Sequence, residues 1–316
     1  MISSLLILLE VMMRFTHPYL LLTLAMIFFS GNFIVGKAFA DDVPPFTLAW
    51  ARFFIGTLVL LPLCYKTIIR NRQLWLDKWL PLTAIAFFGV FLFNVALYVS
   101  VHYTTTINAS IVDALTPAVA AVLGYFFLKE RLTAIQSGGV ILSFCGILLL
   151  LSGGSLAVIR SLSFNIGDLI MLAGIICWAI YSILIKLYGD DYPVIAGLVM
   201  TFIIGVLMLS PFVAYEWRHG LPFTFGLATS AAFLYVGIFP SALALLFWYR
   251  GVAAIGPSKA SIFFNLVPVF TTVLAIALLG ESAGWFQLFG GLIVLTGVYL
   301  STIQPKTDKA PDRSKA

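Results

Sequence analysis

The sequence predicts an all-α integral membrane protein: ten transmembrane helices forming two inverted five-helix repeats around a central cavity. Three observations predict it. First, of 316 residues 61% are hydrophobic and only 10% charged, against about 45–50% and about 25% in an ordinary soluble domain. A soluble chain of this length cannot hide that much apolar surface, so its solvent is lipid. Second, the apolar residues gather in ten runs, each near the roughly 20 residues that a bilayer-crossing helix needs. Third, the second half of the chain repeats the first in register. The composition excludes a soluble enzyme, a disordered chain and a secreted disulfide scaffold. A net charge of +5 is carried by too few basic residues for a nucleic-acid partner. Cys64, Cys145 and Cys177 stand singly inside apolar runs without CxxC spacing. They read as packing residues, with no metal or cofactor expected.

The runs lie, in order, at 18–40, 46–65, 79–100, 106–128, 134–152, 166–188, 193–214, 224–248, 257–279 and 285–303. Residues 1–17 have a short apolar core, no preceding basic residue and an interrupting Glu10. That is a poor signal peptide, and the segment reads as an N-terminal extension in which Met12 or Met13 could be the start. The first repeat covers 18–152, a Gly/Ser-rich linker 153–165 and the second repeat 166–303. The tail from 304 to 316 is polar, has no apolar face and is expected to be cytoplasmic and disordered.

Basic residues gather at alternate connections. Lys66, Arg70, Arg72 and Lys78, then Lys129 and Arg131, then Arg250 and Lys259, fall on one side with Arg14 and the basic tail; the other side holds Arg160, Arg218 and little else. The positive-inside rule therefore predicts a multi-pass protein of the inner (cytoplasmic) membrane with both termini cytoplasmic.

The repeat is legible residue by residue. At an offset of 149, Lys37 falls on Lys186, Asp41 and Asp42 on Asp190 and Asp191, Pro44 on Pro193, Phe53 on Phe202, Gly56 on Gly205 and Pro62 on Pro211. At an offset of 151, Tyr98 falls on Tyr249, Ser110 on Ser261, Pro117 on Pro268, Glu130 on Glu281, Gln136 on Gln287, Gly139 on Gly290 and Gly146 on Gly297. Apolar runs align leucines by chance; they do not align lysine, aspartate pairs, prolines and glycines together. Five spans per repeat is an odd number, so the second copy enters from the opposite side. Inverted repeats suit alternating access, because exchanging the two copies' shapes moves the opening from one face to the other.

Two stretches carry a common pattern of Ala-Ser, Pro, Glu, Gln-x-x-Gly and Gly: ASIVDALTPAVAAVLGYFFLKERLTAIQSGGVILSFCG and ASIFFNLVPVFTTVLAIALLGESAGWFQLFGGLIVLTG. This pattern resembles the EamA domain, and two such units over ten spans resemble the drug/metabolite transporter superfamily. The resemblance covers about residues 18–303. It implies export of amino acids, metabolites or toxic organic compounds from bacteria. It also implies a cavity surrounded by the first, third, fourth, sixth, eighth and ninth helices.

Residues on the page add candidates of their own. Pro117 and Pro268 each deprive the carbonyl four residues earlier, that of Asp113 or Phe264, of its helical partner. Such kinks are tolerated where they face protein or a water-filled cavity. Lys37 and Lys186 sit near helix C-termini, where a cation suits the dipole and a long stem reaches the interface. Glu130 and Glu281 sit beside tight turns, placed to cap a helix or bind backbone amides. Polar residues that break the repeat are stronger pointers to a solute. Asn32 falls opposite Tyr181, Arg52 opposite Thr201, Asn94 opposite Leu245, Asp113 opposite Phe264 and Asn265 opposite Ala114. Arg52 and Asp113 both lie about 9–11 Å below the outer surface at 1.5 Å per residue. Three readings follow: a buried charge pair, Asp113 as a proton or substrate-amine site, or structural placement with Arg52 reaching outward. Phe91, Asn94 and Tyr98 share one helical face, as do Trp178, Tyr181 and Ser182, Ser110 and Asp113 with Pro117, and Ser261 with Asn265. The substrate-binding candidates are thus Asn32, Asn94, Tyr98, Ser110, Asp113, Trp178, Tyr181, Tyr249, Ser261, Phe264 and Asn265.

The expectation is a secondary active or facilitative carrier for a small, partly apolar organic solute, acting as a monomer in the bilayer, with protons as a candidate coupling ion at Asp113. A nucleotide-binding GxxxxGK[ST] is absent. The alternatives are a solute channel, which the repeat allows although no charge ring or filter sequence is visible, and, further off, an intramembrane enzyme, which would need clustered acids or a nucleophile–base pair.

Overall fold

Within the described residues the apolar runs fold as helices whose outward faces stay apolar, as a lipid-facing surface requires. A computed structural model describes residues 17–128, 133–155, 164–220, 226–255 and 262–302, and these are helical with no strand. Eight helices are long and apolar enough to cross a bilayer: α1 (Pro18–Ala38), α2 (Pro45–Arg70), α3 (Trp79–Tyr103), α4 (Thr106–Phe127), α5 (Ala134–Ser152), α6 (Ile166–Asp191), α7 (Val194–Arg218) and α8 (Leu227–Trp248). Two shorter apolar helices follow, α9 (Phe263–Leu279) and α10 (Trp285–Ser301). Residues 1–16, the tail from 303, Glu130 and Ser261 lie outside the described residues.

Local chemistry sets the helix ends. Proline opens α1 and α2, where its missing N–H costs nothing. Thr133 and Gln136 form a reciprocal capping box at the start of α5, and Gly153, at φ 54°, ends it in the left-handed region. Asn165 caps α6 by accepting from the Gly167 amide at 2.7 Å.

Glycines set the closest helix contacts. A Cβ on Gly139 would lie 2.6 Å from the Gly297 carbonyl, and one on Gly297 2.6 Å from the Gly139 carbonyl. The Gly146–Gly290 pair repeats this at 3.0 and 3.2 Å. Thus α5 and α10 run antiparallel in backbone contact, as small residues allow in lipid. Between α2 and α7, Phe53 packs on Phe202 with ring centroids 5.0 Å apart.

Three helices are irregular in mid-span. In α3, residues Ala86–Leu92 form a π-helical turn. In α8, Gly237–Leu243 form another, and these segments lie 151 positions apart in the chain. Helix α4 breaks at Ala114–Leu115, just before Pro117.

One end of the bundle is tied by carboxylates on helix N-termini. Glu281 accepts from the Thr106 amide at 2.9 Å and the Ile107 amide at 3.3 Å, opening α4. Glu216 does the same for α2 through Phe46 and Thr47, at 3.0 and 2.8 Å. Backbone-amide binding is thus the role of Glu281. Lys37 donates to the carbonyls of Val101 and Thr104, at 2.7 and 3.1 Å, where α3 ends. The dipole it meets is therefore a neighbour's as well as its own. At the opposite end Lys78 pairs with Asp191 at 2.6 Å.

Candidate functional site

The π turn of α3 and the break of α4 line a cavity of about 240 Å³ in the bundle, and the π turn of α8 stands behind its wall. The physical reason begins with proline. Pro240 has no N–H for the Val236 carbonyl; the Ser241 hydroxyl donates to that oxygen instead, at 2.8 Å. Pro117 likewise strands the Asp113 carbonyl, and the Thr116 hydroxyl donates to it at 2.7 Å. On α3 the Asn94 amide donates to the carbonyls of Gly89 and Val90, at 2.9 and 3.0 Å, inside the π turn. Each break therefore satisfies its own backbone with a polar side chain; Asn94 and Thr116 also line the cavity, while Ser241 is reached from it through Arg52.

Arg52 joins two of these breaks. Its Nε donates to Ser241 Oγ at 2.9 Å and its Nη1 to Asn94 Oδ1 at 2.7 Å. The guanidinium is buried and lines the cavity together with Asn32, Asn94 and Asp113. Of the three readings for Arg52 and Asp113, the charge pair is not formed among the described residues. Both stand on the cavity wall, but Arg52 is turned toward neutral acceptors on α3 and α8. Equal depth along two helices fixes height, not direction around the axis.

The other candidates divide clearly. Trp178, Tyr181, Phe264 and Pro117 line the cavity. Tyr98 is fully buried behind the wall, where its hydroxyl donates to Asn32 Oδ1 at 2.6 Å and so orients a residue that does line it. Ser110 is buried and donates to its own helix at the Ile107 carbonyl. Asn265 and Pro268 are not on the wall. The side chain of Tyr249, like Ser261, lies outside the described residues. Ser241 and Thr116 were missed by the sequence reading. Their signal was a hydroxyl next to a proline inside an apolar run, Pro240-Ser241 and Thr116-Pro117. The wall is otherwise apolar and largely aromatic, with Phe29, Phe53, Phe93 and Phe202 among its residues. It draws on α2 and α7 as well as the six helices expected from the resemblance.

The chain has relatives among known proteins. A sequence model of the EamA-like transporter family matches residues 17–152 and again residues 165–303. The chain belongs to the EamA-like transporter family. It is 30% identical to the uncharacterized transporter YyaM of Bacillus subtilis over 90% of this chain and 93% of that protein. An uncharacterized transporter of Archaeoglobus fulgidus is 31% identical over 91% of this chain and 98% of its own. A solved crystal structure with 19% identity superposes at a TM-score of 0.59, covering 90% of this chain and 96% of the other. That last likeness concerns the fold alone. Family and apolar helices together describe a multi-pass membrane protein of the EamA-like transporters, a group named for solute transport and not for an enzymatic reaction.

Proposed function

We propose that this chain is a secondary active or facilitative carrier that exports a small organic solute across the inner membrane by alternating access. The observation that carries the reading is the cavity itself: apolar and aromatic over most of its wall, with Arg52 and Asp113 on that wall and not paired with each other. Arg52 carries five N–H donors, more than its bonds to Ser241, Asn94 and Tyr98 require, and the remainder suit an anionic group. Asp113 suits an ammonium group or a proton. The aromatic wall suits an apolar body. Amino acids, related metabolites and amphipathic toxic compounds fit that description.

Alternating access is supported by the repeat. The π turns of α3 and α8 occupy matched positions, and the Gly139–Gly297 contact maps onto Gly146–Gly290 when the halves are exchanged. A two-fold axis in the membrane plane, relating two inverted five-helix repeats, accounts for both. The basic connections favour cytoplasmic termini.

Counterflow in proteoliposomes, with labelled amino acids and aromatic cations, tests the reading. Saturable exchange without ATP is expected. Flux indifferent to solute on the far side would identify a channel. Repeating the assay across pH with Asp113→Asn separates the two roles of Asp113. A proton site predicts loss of the pH response with exchange retained, whereas an amine site predicts loss of affinity for cationic solutes at every pH.

A further inference from the structure

Beside the central cavity lies a second chamber of about 190 Å³, toward the Lys78–Asp191 end. Its wall comes from the first turns of α3 at Leu82 and Ile85, the last turns of α6 at Ile185 and Asp190, and the first turns of α7 at Val194 and Gly197. Three residues line both spaces: Tyr181, Leu198 and Thr201. Leu198 and Thr201 are buried in α7, whereas Tyr181 is only partly buried on α6. Tyr181 is also the bulkiest of the three.

The position of that ring is set by its neighbours. Its centroid stands 4.8 Å from that of Trp178. On another side it lies against Gly89, where a Cβ would come within 2.3 Å of the ring atom Cδ2. Only a glycine at the π turn lets the ring sit there. The carbonyl of Gly89 accepts from Asn94, and Asn94 accepts from Arg52. The charged group on the cavity wall and the ring at its edge thus share one backbone segment.

We propose that the second chamber is the route by which solute reaches the central cavity from the Lys78–Asp191 face, and that Tyr181 is the door between the two spaces. The ring is seated by the absence of a side chain at Gly89 and opens by rotating away from it. A rotation of one aromatic side chain is a local event beside the rearrangement of helices. The inference rests on reading the central cavity as the transport site, but its test reads access rather than transport.

The test uses a protein with Cys64, Cys145 and Cys177 replaced by alanine and a single cysteine introduced by Ala120→Cys. Ala120 lines the central cavity and not the second chamber. Reconstituted in vesicles of sorted orientation, it is labelled by a membrane-impermeant thiol reagent added to one face at a time. Tyr181→Ala should speed labelling from the Lys78–Asp191 face about ten-fold and leave the opposite face unchanged. Val194→Trp, at an exposed position on the chamber wall, should slow labelling from the same face about ten-fold. It serves as the deciding variant if Tyr181→Ala does not fold. A rate from that face indifferent to Tyr181→Ala, or to Val194→Trp, overturns the proposal, as does equal acceleration from both faces. A protein that labels as expected but gives no counterflow keeps the door and loses the carrier. Counterflow with labelling indifferent to position 181 does the reverse.

Discussion

The π turns of α3 and α8 have the same place in their halves but different chemistry. Gly205 of α7 packs against the first, where its Cβ would lie 2.2 Å from Val90 Cγ1; Gly56 of α2 packs against the second, where its Cβ would lie 3.2 Å from Ser241 Cβ. Val90 and Ser241 are matched positions, as are Gly56 and Gly205. The contact is conserved in shape between the halves, while its polar content is not. The first turn is satisfied by Asn94, the second by Ser241, and Arg52 of the first half serves both. Its counterpart, Thr201, donates only to Leu198 in its own helix. A repeat retains its form through glycine and proline and leaves the side chains inside the cavity free to diverge.

The largest expected effect breaks the shape. At the α5–α10 seam Gly139→Leu places a side chain where only backbone fits, whereas Gly138 faces open space. Overpacking costs about 1–3 kcal/mol and occasionally more, and here the obstructing atoms are main chain. Gly139→Leu should abolish the monodisperse folded species in detergent, and Gly138→Leu should retain it. Equal behaviour of the two would mean that the seam tolerates separation.

The π-turn comparison sharpens next. Gly205→Ala meets a β-branched side chain at shorter range than Gly56→Ala meets a serine. It should lower stability by about 1–3 kcal/mol, Gly56→Ala by less, and Val90→Ala, which leaves Val90 Cβ at 2.9 Å, should restore part of the first and none of the second. Melting in detergent reads all four proteins. If Gly56→Ala proves the costlier, the two contacts differ in compliance and not in space.

Arg52 tests the divergent chemistry. Arg52→Lys keeps the charge but loses the fixed fork that reaches Ser241 and Asn94 together. Solute exchange should fall at least ten-fold, in KM more than in maximal rate if the guanidinium binds an anionic group. The double change Arg52→Asp with Asp113→Arg should recover nothing lost by either single change, because the structure keeps these charges apart. Recovery would show that they pair in another conformation.

Much of this was legible in the sequence. Hydropathy located the eight helices long enough to cross a bilayer and the two shorter apolar ones among the described residues. The matched glycines Gly139, Gly146, Gly290 and Gly297 were visible as repeat positions, though that they meet one another was not. Pro117 and Asp113 marked the break of α4, because a missing donor is a property of the residue type. Partner choice was not legible. The depth of Arg52 follows from counting residues, but its direction depends on π turns that insert extra residues into α3 and α8 and rotate everything beyond them. Nor could helical spacing tell that Tyr98 stands behind Asn32 and not beside it. Spacing gives a face, and the face a residue presents is decided by the helix opposite.

The smallest expected effect concerns the hydroxyl at the α4 break. Thr116 repairs the carbonyl that Pro117 strands, and its matched position in the second half is Val267, which offers no hydroxyl. Thr116→Val keeps the shape and removes one hydrogen bond, so it should cost about 1 kcal/mol and lower the melting temperature slightly. Val267→Thr, the reverse exchange beside Pro268 at a buried position, places a hydroxyl three residues after the Phe264 carbonyl that Pro268 strands, as Thr116 stands to Asp113. That bond offsets the burial of the hydroxyl, and the change should stay within about 1 kcal/mol of the parent. The difference between the two measures what the first half gains from a polar repair facing the cavity. A larger loss at Val267 than at Thr116 would instead place the more demanding break in α9, where the neighbouring helix α1 already donates to the Val267 carbonyl through Ser30 at 3.1 Å.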